Sequence, residues 1–352
     1  MPPPTAGEPA KPLTVGPVVL PNRVFLAPMS GVTDTPFRRL AARLGAGVVV
    51  SEMIASAYLA EGRRDAHRRV DGDGLKLNVV QIAGCEARWM AEGARMAVGA
   101  GAEIIDINMG CPARHVTNGE SGSALMRDLG HALTLIEATV GAVEVPVTLK
   151  MRLGWDERSL NAPELARRAE AAGVQLITVH GRTRQQFYKG EANWSAVRAV
   201  KAAVDVPVVV NGDIKSADDA VRALRETGCA GVMVGRAAID HPWIFREARS
   251  RLDHKGRVPA PTVAERFAVC REHLLAMTGE RGERRGLRAM RRYYPGYLDR
   301  VPGAELLIAE LNTTTTLGGT LDALDEGALA PESAAEDAAY PPRWQTQADD
   351  WA

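Results

Sequence analysis

Eight short apolar stretches recur along this chain, each followed by an amphipathic helical segment, at intervals of about thirty residues. No other feature restricts the fold as much. The first unit is the run Val24-Phe25-Leu26-Ala27 followed by the loop Pro28-Met29-Ser30-Gly31. A helix then opens at Thr35-Pro36, sets Phe37, Leu40, Ala41 and Leu44 on one face, and closes at Gly45. Further strands are predicted at Val48–Glu52, at Leu77–Ile82 with a helix from Trp89 to Val98 behind it, and at Glu103–Met109. The fifth is Pro146–Lys150, whose helix begins near Asn161, carries Pro163 in its first turn and ends at Gly173. The sixth is Leu176–His180. The seventh, Pro207–Asn211, precedes a capping box at Ser216-Ala217-Asp218-Asp219 and a helix to Gly228, and the eighth is Gly231–Gly235. This pattern predicts a (β/α)8 TIM barrel over residues 14–256. An open doubly wound sheet is the alternative. Against it, no GxGxxG follows the first strand, and polar residues sit at the C-terminal ends of nearly all strands, where barrels of this kind build their sites.

With 352 residues the chain can bury a large core and still hold a small second domain. No apolar run approaches the ~20 residues of a membrane span. Met1–Leu13 is rich in Pro and Ala without the build of a signal peptide, so residues 1–13 read as a disordered tail and the cytoplasm as the expected location. Cys85, Cys111, Cys229 and Cys270 show no metal spacing, so neither a disulfide framework nor a metal is expected. Lys plus Arg equals Asp plus Glu, 43 against 43, so a nucleic-acid partner must rest on local clustering. Such a cluster lies beyond the linker Pro259-Ala260-Pro261, in a helical domain expected over 262–317. There Val263 to Arg300 reads as helical, with Phe267, Cys270, Leu274 and Leu275 as an apolar stripe. Arg284, Arg288, Arg291 and Arg292 can share one broad face, with Tyr293 and Tyr294 nearby for stacking. An arginine run is as readily a solvated face. Residues 318–352, rich in Ala, Gly, Asp and Glu, are assigned no fold and read as a disordered tail.

The strand ends carry the candidate chemistry: Pro28-Met29, Glu52, Gln81, Asn108 with Cys111, Lys150 with Arg152, His180 with Arg182, Asn211-Gly212-Asp213, and Gly235-Arg236. All are expected to line one mouth. Each alone reads as a rim residue or a satisfied interior polar group; their shared position in successive units is what points to a site. The stretch Glu103-Ile104-Ile105-Asp106-Ile107-Asn108-Met109-Gly110-Cys111-Pro112 delivers a thiol from a strand to a stiff bend, although a small apolar Cys filling a turn is the plainer reading. Asn211-Gly212-Asp213 and Gly235-Arg236 fall on the two loops where barrels often bind phosphate, with Arg236 as a donor fork, although the glycines equally permit tight turns.

Taken together, these residues resemble the tRNA-dihydrouridine synthases, and within them the bacterial B-type branch. The likeness is carried, in order, by Pro28-Met29-Ser30-Gly31-Val32-Thr33-Asp34, Asp106-Ile107-Asn108-Met109-Gly110-Cys111-Pro112, Gly122-Ser123-Ala124-Leu125-Met126, Lys150-Met151-Arg152-Leu153-Gly154-Trp155, His180-Gly181-Arg182-Thr183-Arg184 and Asn211-Gly212-Asp213-Ile214. It runs from about Pro17 to about Asn312. The resemblance implies an FMN enzyme that uses NADPH to reduce the 5,6 double bond of particular uridines in tRNA, hydride going to C6 and a proton from Cys111 to C5. It implies that Pro28, Met29, Ser30, Gln81, Lys150, His180, Asn211, Gly212, Asp213, Gly235 and Arg236 bind the flavin. Substrate binding is expected of Asn108 and Arg182 at the base and of Arg284, Arg288, Arg291 and Arg292 on a basic helical surface that holds tRNA. The protein is expected to act as a monomer.

The residue types suit these roles. A thiol with a reference pKa of about 8.5 is protonated at neutral pH yet acidic enough to give its proton up. Lys150 at a strand end can stabilise negative charge on a reduced flavin ring. The Asn108 amide can donate and accept at once against a uracil edge. The target base must leave its stack to reach the flavin. A barrel flavoenzyme acting on a free pyrimidine or small enone, and an idle RNA-binding scaffold, are the competing readings. Two departures from the family pattern carry expectations of their own. Pro295-Gly296 is expected to end or kink the last long helix, and Asn193, where an acidic residue is common, is expected to affect loop packing. Cys85, Cys229 and Cys270 read as structural.

Overall fold

The computed structural model describes residues 12–329, so residues 1–11 and 330–352 of the expected tails lie outside the described part. The described chain opens with a small antiparallel hairpin, β1 (Thr14–Val15) and β2 (Val18–Val19). The staves that follow are β3 (Val24–Leu26), β4 (Val48–Val49), β5 (Ile54–Ala55), β6 (Val79–Ala83), β7 (Ile104–Met109), β8 (Val147–Arg152), β9 (Leu176–His180), β10 (Val208–Asn211) and β11 (Gly231–Val234). They pair in parallel in the order β4-β3-β11-β10-β9-β8-β7-β6-β5. The ring closes because β4 and β5 are two pieces of one stave, joined by the bridge Val50↔Val79.

The stretch expected as one strand, Val48–Glu52, therefore breaks in the middle. Ser51 is the cause: its N–H still bonds Val79 O at 3.0 Å, but its Oγ takes the N–H of Gln81 at 3.0 Å, where a regular ladder would use a carbonyl. The other seven predicted strands stand where the sequence put them to within two residues at either end.

Alternation along each stave decides what the cylinder holds. Ile105, Ile107, Val147, Leu149, Ile177, Val179, Val208 and Val210 face outward into the apolar layer shared with the helices. The intervening residues face inward. At the N-terminal end these are Phe25, Val48, Val79, Ile104, Leu176, Val209 and Met233, which form a second apolar cluster capped by Val15 and Leu20 of the hairpin. Further up they become polar: Gln81, Asp106, Thr148 and Thr178, then Asn108, Lys150 and Asn211, all under one tenth exposed. Register aligns these layers, pairing Gln81 with Asp106, Asp106 with Thr148, Asn108 with Lys150, and Asn211 with His180.

The helices start where expected. Asp34 Oδ1 caps Thr35–Arg43 through the Phe37 N–H. Ser216 Oγ caps Ala217–Thr227 through Asp219 N, and the helix ends at Gly228 with φ 70°. The Asp219 carboxylate reaches back to Lys215 N, one residue earlier than in the regular box.

Beyond the barrel lie helices Val263–Arg281, Glu283–Met290, Tyr294–Leu298, Ala304–Thr313 and Leu317–Ala328. The long helix expected to Arg300 thus breaks first at Gly282, which adopts φ 77°, and again at residues 291–293. Pro295 sits in the first turn of the next helix, and Gly296 is demanded by contact, since a Cβ there would stand 2.0 Å from the Ile239 carbonyl oxygen. The expected stripe holds for Phe267, Cys270 and Leu274, but Leu275 is exposed. Tyr293 and Tyr294 are not available for stacking on a base. Both are buried, Tyr293 donating to Val32 O at 3.0 Å and stacking obliquely on Phe37, because this seam is where the helices dock on the barrel. The disorder expected from residue 318 is corrected over residues 318–328, which continue the helix Leu317–Ala328. Thr316 Oγ1 caps that helix through Gly319 N, and Ala323 and Leu324 are buried in the same apolar layer as Phe267 and Leu311, with Leu321 packed against it. No helix among the described residues is long and apolar enough to cross a membrane.

Candidate active site

The C-terminal ends of the staves surround a cavity of about 280 Å³, at the lower edge of the roughly 300–1,000 Å³ of small-molecule sites. Its wall includes Pro28, Met29, Ser30, Gln81, Asn108, Cys111, Lys150, Arg152, His180, Arg182, Asn211, Gly212, Asp213, Gly235 and Arg236. Nearly every strand end singled out in the sequence therefore converges on one place. Glu52 does not. It turns away from the cavity toward Arg69, Nε to Oε2 3.5 Å, with its carboxyl raised by burial and one oxygen without a hydrogen-bond partner.

One side of the wall carries the thiol. Cys111 follows β7, and its backbone is held at both ends: Cys111 N donates to Asn108 Oδ1 at 3.0 Å, and Cys111 O accepts from Ser123 N at 3.0 Å and Ser123 Oγ at 2.8 Å. Arg152 Nε fixes the preceding carbonyl, Gly110 O, at 2.8 Å, while its Nη1 binds the carbonyls of Thr183 and Phe187. Beneath the loop, Asn108 Nδ2 donates to Gln81 Oε1 at 2.7 Å, Gln81 Nε2 to Asp106 Oδ2 at 2.6 Å, and Thr148 Oγ1 to Asp106 Oδ1 at 2.6 Å. Burial pushes the Cys111 thiol up, against the Ala113 N–H and the charges of Arg152 and Lys150, so it carries its proton at neutral pH.

The other side is basic and built for close approach. Gly212 has φ 110°, and a Cβ there would meet His180 Cδ2 at 2.9 Å. At Gly235 the nearest atom to such a Cβ is Met29 Sδ at 4.0 Å, so the missing side chain leaves room on the cavity side. Arg152 and Arg236 lie over the Tyr188 ring, 5.5 and 5.1 Å from its centroid. His180 is driven well below its ordinary value by burial and then by Arg152, Lys150, Arg182 and Arg236, so it is neutral. Arg182 Nη1 lies 3.3 Å from His180 Nε2. A guanidinium only donates, so that nitrogen accepts and the ring proton sits on Nδ1. Burial, reinforced by Arg152, lowers Lys150 to about 8.

Comparison with known proteins shows the family. The family model described as dihydrouridine synthase matches residues 25–333. A probable tRNA-dihydrouridine synthase of Rhizobium leguminosarum is 48% identical over 323 residues, 89% of this chain and 99% of the relative. The tRNA-dihydrouridine synthase B of Pseudomonas aeruginosa is 46% identical over 299 residues, 85% of this chain and 90% of the relative. The chain belongs to the dihydrouridine synthase family. Its fold is also that of 6-hydroxypseudooxynicotine amine oxidase from Pseudomonas geniculata (TM-score 0.55, 16% identity, 90% of this chain and 66% of that one) and of morphinone reductase (TM-score 0.52, 15% identity, 71% and 90%).

Within this dihydrouridine synthase two expected substrate-binding residues give most of their hydrogen bonds to the protein itself. Asn108 was expected to donate and accept at once against a base, but its Oδ1 already accepts from Gly110 N and Cys111 N and one amide hydrogen is given to Gln81. One N–H is left for a ligand. Arg182, expected at the substrate, is 2% exposed, and it spends Nη2 on Asp213 Oδ2 and Gly190 O and Nε on Lys189 O, which ties the loop after β9 to Asp213. Asp213 in turn accepts from Ala192 N, so its carboxylate is internal. Asn193 proves to be a helix cap, its Oδ1 accepting from Ala196 N. Arg284, Arg288, Arg291 and Arg292 are all exposed, and Arg292 donates to Gly31 O on the loop beside Ser30, which joins the basic surface to the rim of the mouth. Tyr188, His115 and Met53 line the dihydrouridine synthase cavity without having been singled out. The only sequence signal for Tyr188 was an aromatic two residues before a glycine in the loop after the sixth strand.

Proposed function

We propose that this enzyme reduces the 5,6 double bond of uridines in tRNA, with FMN in the cavity and NADPH as reductant, as in the B-type branch. The observation that carries the reading is a protonated thiol, Cys111, fixed on one wall of a cavity whose opposite wall is glycine-lined and cationic.

The residues present suit a flavin mononucleotide. Gly235 leaves room for a phosphate or ring near the backbone, Gly212 lets its turn close against Ala192 and His180, Arg236 and the neighbouring guanidinium groups favour an anion, and Pro28, Met29, Ser30 and Gln81 would form the wall against the ring. When bound, reduced FMN supplies the two electrons taken up at C6 of the uracil. Lys150, still mostly charged at neutral pH, would offset negative charge on the ring. Cys111 supplies the proton to C5, and the thiolate left behind is eased by the Ala113 N–H, Arg152 and Lys150. Neutral His180 keeps Nδ1–H as a donor toward a carbonyl or ring nitrogen.

The test uses tRNA from cells that lack the gene. Incubated with the enzyme and NADPH, it should gain dihydrouridine by mass spectrometry; reduction of free uracil at a comparable rate with no gain in tRNA overturns the assignment. Charge reversal at Arg288 and Arg291 should weaken tRNA binding and its salt dependence while NADPH oxidation persists.

A further inference from the structure

Two buried amides in the barrel lie between a group that only accepts and a pair of groups that only donate. At one end is the Asp106 carboxylate, 3% exposed, taking Thr148 Oγ1 on one oxygen and Gln81 Nε2 on the other, both at 2.6 Å. At the far end are the backbone N–H groups of Gly110 and Cys111, both directed at Asn108 Oδ1. Between them Gln81 Oε1 meets Asn108 Nδ2 at 2.7 Å. An amide can be turned end for end with little change of shape, so packing alone does not choose its orientation. The two ends choose it. A carboxylate has no proton to offer and a peptide N–H no lone pair, so reversing either amide sets donor against donor or acceptor against acceptor among side chains that are all under one tenth exposed. Register supports the series, since Gln81 pairs with Asp106 and Asp106 with Thr148 on adjacent parallel strands. Burial raises the Asp106 carboxyl, while the hydrogen bonds from Thr148 and Gln81, and after them the charge of Lys150 on the same strand as Thr148, favour its ionised form. Neither Asp106 nor Thr148 reaches the wall of the reaction cavity.

We infer that Asp106 and Thr148 are positioning residues for the protonation step. They set the polarity of the Gln81 and Asn108 amides, and through Asn108 Oδ1 they hold the Gly110-Cys111 bend in the conformation that presents the thiol. The inference rests on Cys111 as proton donor, so its test needs a readout that does not depend on that role.

That readout is the rate at which iodoacetamide alkylates Cys111, resolved from Cys85 by peptide mass spectrometry, measured beside kcat and KM for dihydrouridine formation. Asp106→Asn keeps the shape but offers an NH2 that suits a reversed Gln81. It should raise Cys111 alkylation roughly fivefold as the bend loosens, and lower kcat about ten- to a hundredfold with flavin content and the KM for tRNA within about twofold. Adding Gln81→Glu restores an acceptor facing Asn108 and should return alkylation toward the wild-type rate. Thr148→Val should act in the same direction and more weakly, whereas Thr148→Ser, which keeps the hydroxyl, should match wild type; this pair decides the matter if Asp106→Asn does not fold. Unchanged alkylation in Asp106→Asn and Thr148→Val, or no recovery in the double variant, overturns the inference. Faster alkylation with undiminished kcat leaves the relay standing and overturns the role given to Cys111.

Discussion

The two halves of the barrel mouth solve different problems with different residues. The half built by β6, β7 and β8 holds a single thiol in place with a buried polar chain whose every member has a partner: Thr148, Asp106, Gln81, Asn108 and the Cys111 backbone. The half built by β9, β10 and β11 leaves space and positive charge, with Gly212, Gly235 and Arg236 around a histidine kept neutral by its surroundings. On the proposed reading one half fixes an atom and the other makes room for an anion. A site that must align a proton donor with a bound ring needs both, and damage to one half should leave the other measurable.

The largest effect should come from the thiol side. Cys111→Ala removes the proposed acid and should lower dihydrouridine formation by about 10²–10⁴-fold, the span of general-acid contributions, while flavin content and tRNA binding stay at wild-type levels. Loss of flavin in the same variant would show that the halves are not separable. Next in size is the opposite side. Gly212→Ala forces an L side chain to φ 110° and sets its Cβ 2.9 Å from His180 Cδ2. The protein should then be purified largely without flavin, its affinity down about tenfold or more, yet Cys111 should alkylate at the wild-type rate. Flavin retained in full would remove the phosphate-side reading of the loop after β10.

Lys150 stands where the halves meet, and pH resolves it. The group is charged below about 8 and neutral above, so turnover should fall by about tenfold per pH unit on the alkaline side. Lys150→Arg should move that limb upward until the Cys111 thiol, itself raised by burial, sets it. An unmoved limb would mean that the charge of Lys150 is not used.

Period-two alternation makes much of this legible in the sequence. Asn108, Lys150 and His180 stand at inward positions near strand ends, and their convergence follows from register in a closed ring. What alternation does not carry is the use each polar atom is put to. Glu52 lies at a predicted strand end, yet the break at Ser51 carries it out of the ring. Arg182 and Asn108 bear the right groups at the right height and spend most of them on the protein. Tyr293 looked like a stacking residue because it neighbours arginines, and became a seam residue because the chain turns at residues 291–293. Helix Leu317–Ala328 was missed because the Ala, Gly, Asp and Glu content from residue 318 onward suggested disorder, whereas Gly318 and Gly319 cost little in the first turn and the apolar stripe behind them finds a partner.

The smallest expected effect tests the basic half where it borders solvent. Asn193 Oδ1 caps helix Trp194–Ala202 through Ala196 N at 2.9 Å, and that helix anchors Gly212 by a bond from Trp194 Nε1 to Gly212 O at 2.9 Å. An aspartate accepts the same bond and adds a favourable charge at the helix start, so Asn193→Asp should shift stability by no more than about 0.5 kcal/mol. Asn193→Ala loses the cap and should cost about 1 kcal/mol. Chemical denaturation separates the two, and flavin affinity adds a sharper measure. If the cap serves only the helix, affinity stays constant across the three proteins; if it steadies the Gly212 turn through Trp194, affinity falls in the alanine variant alone, because the aspartate keeps the same hydrogen bond and with it the same anchor.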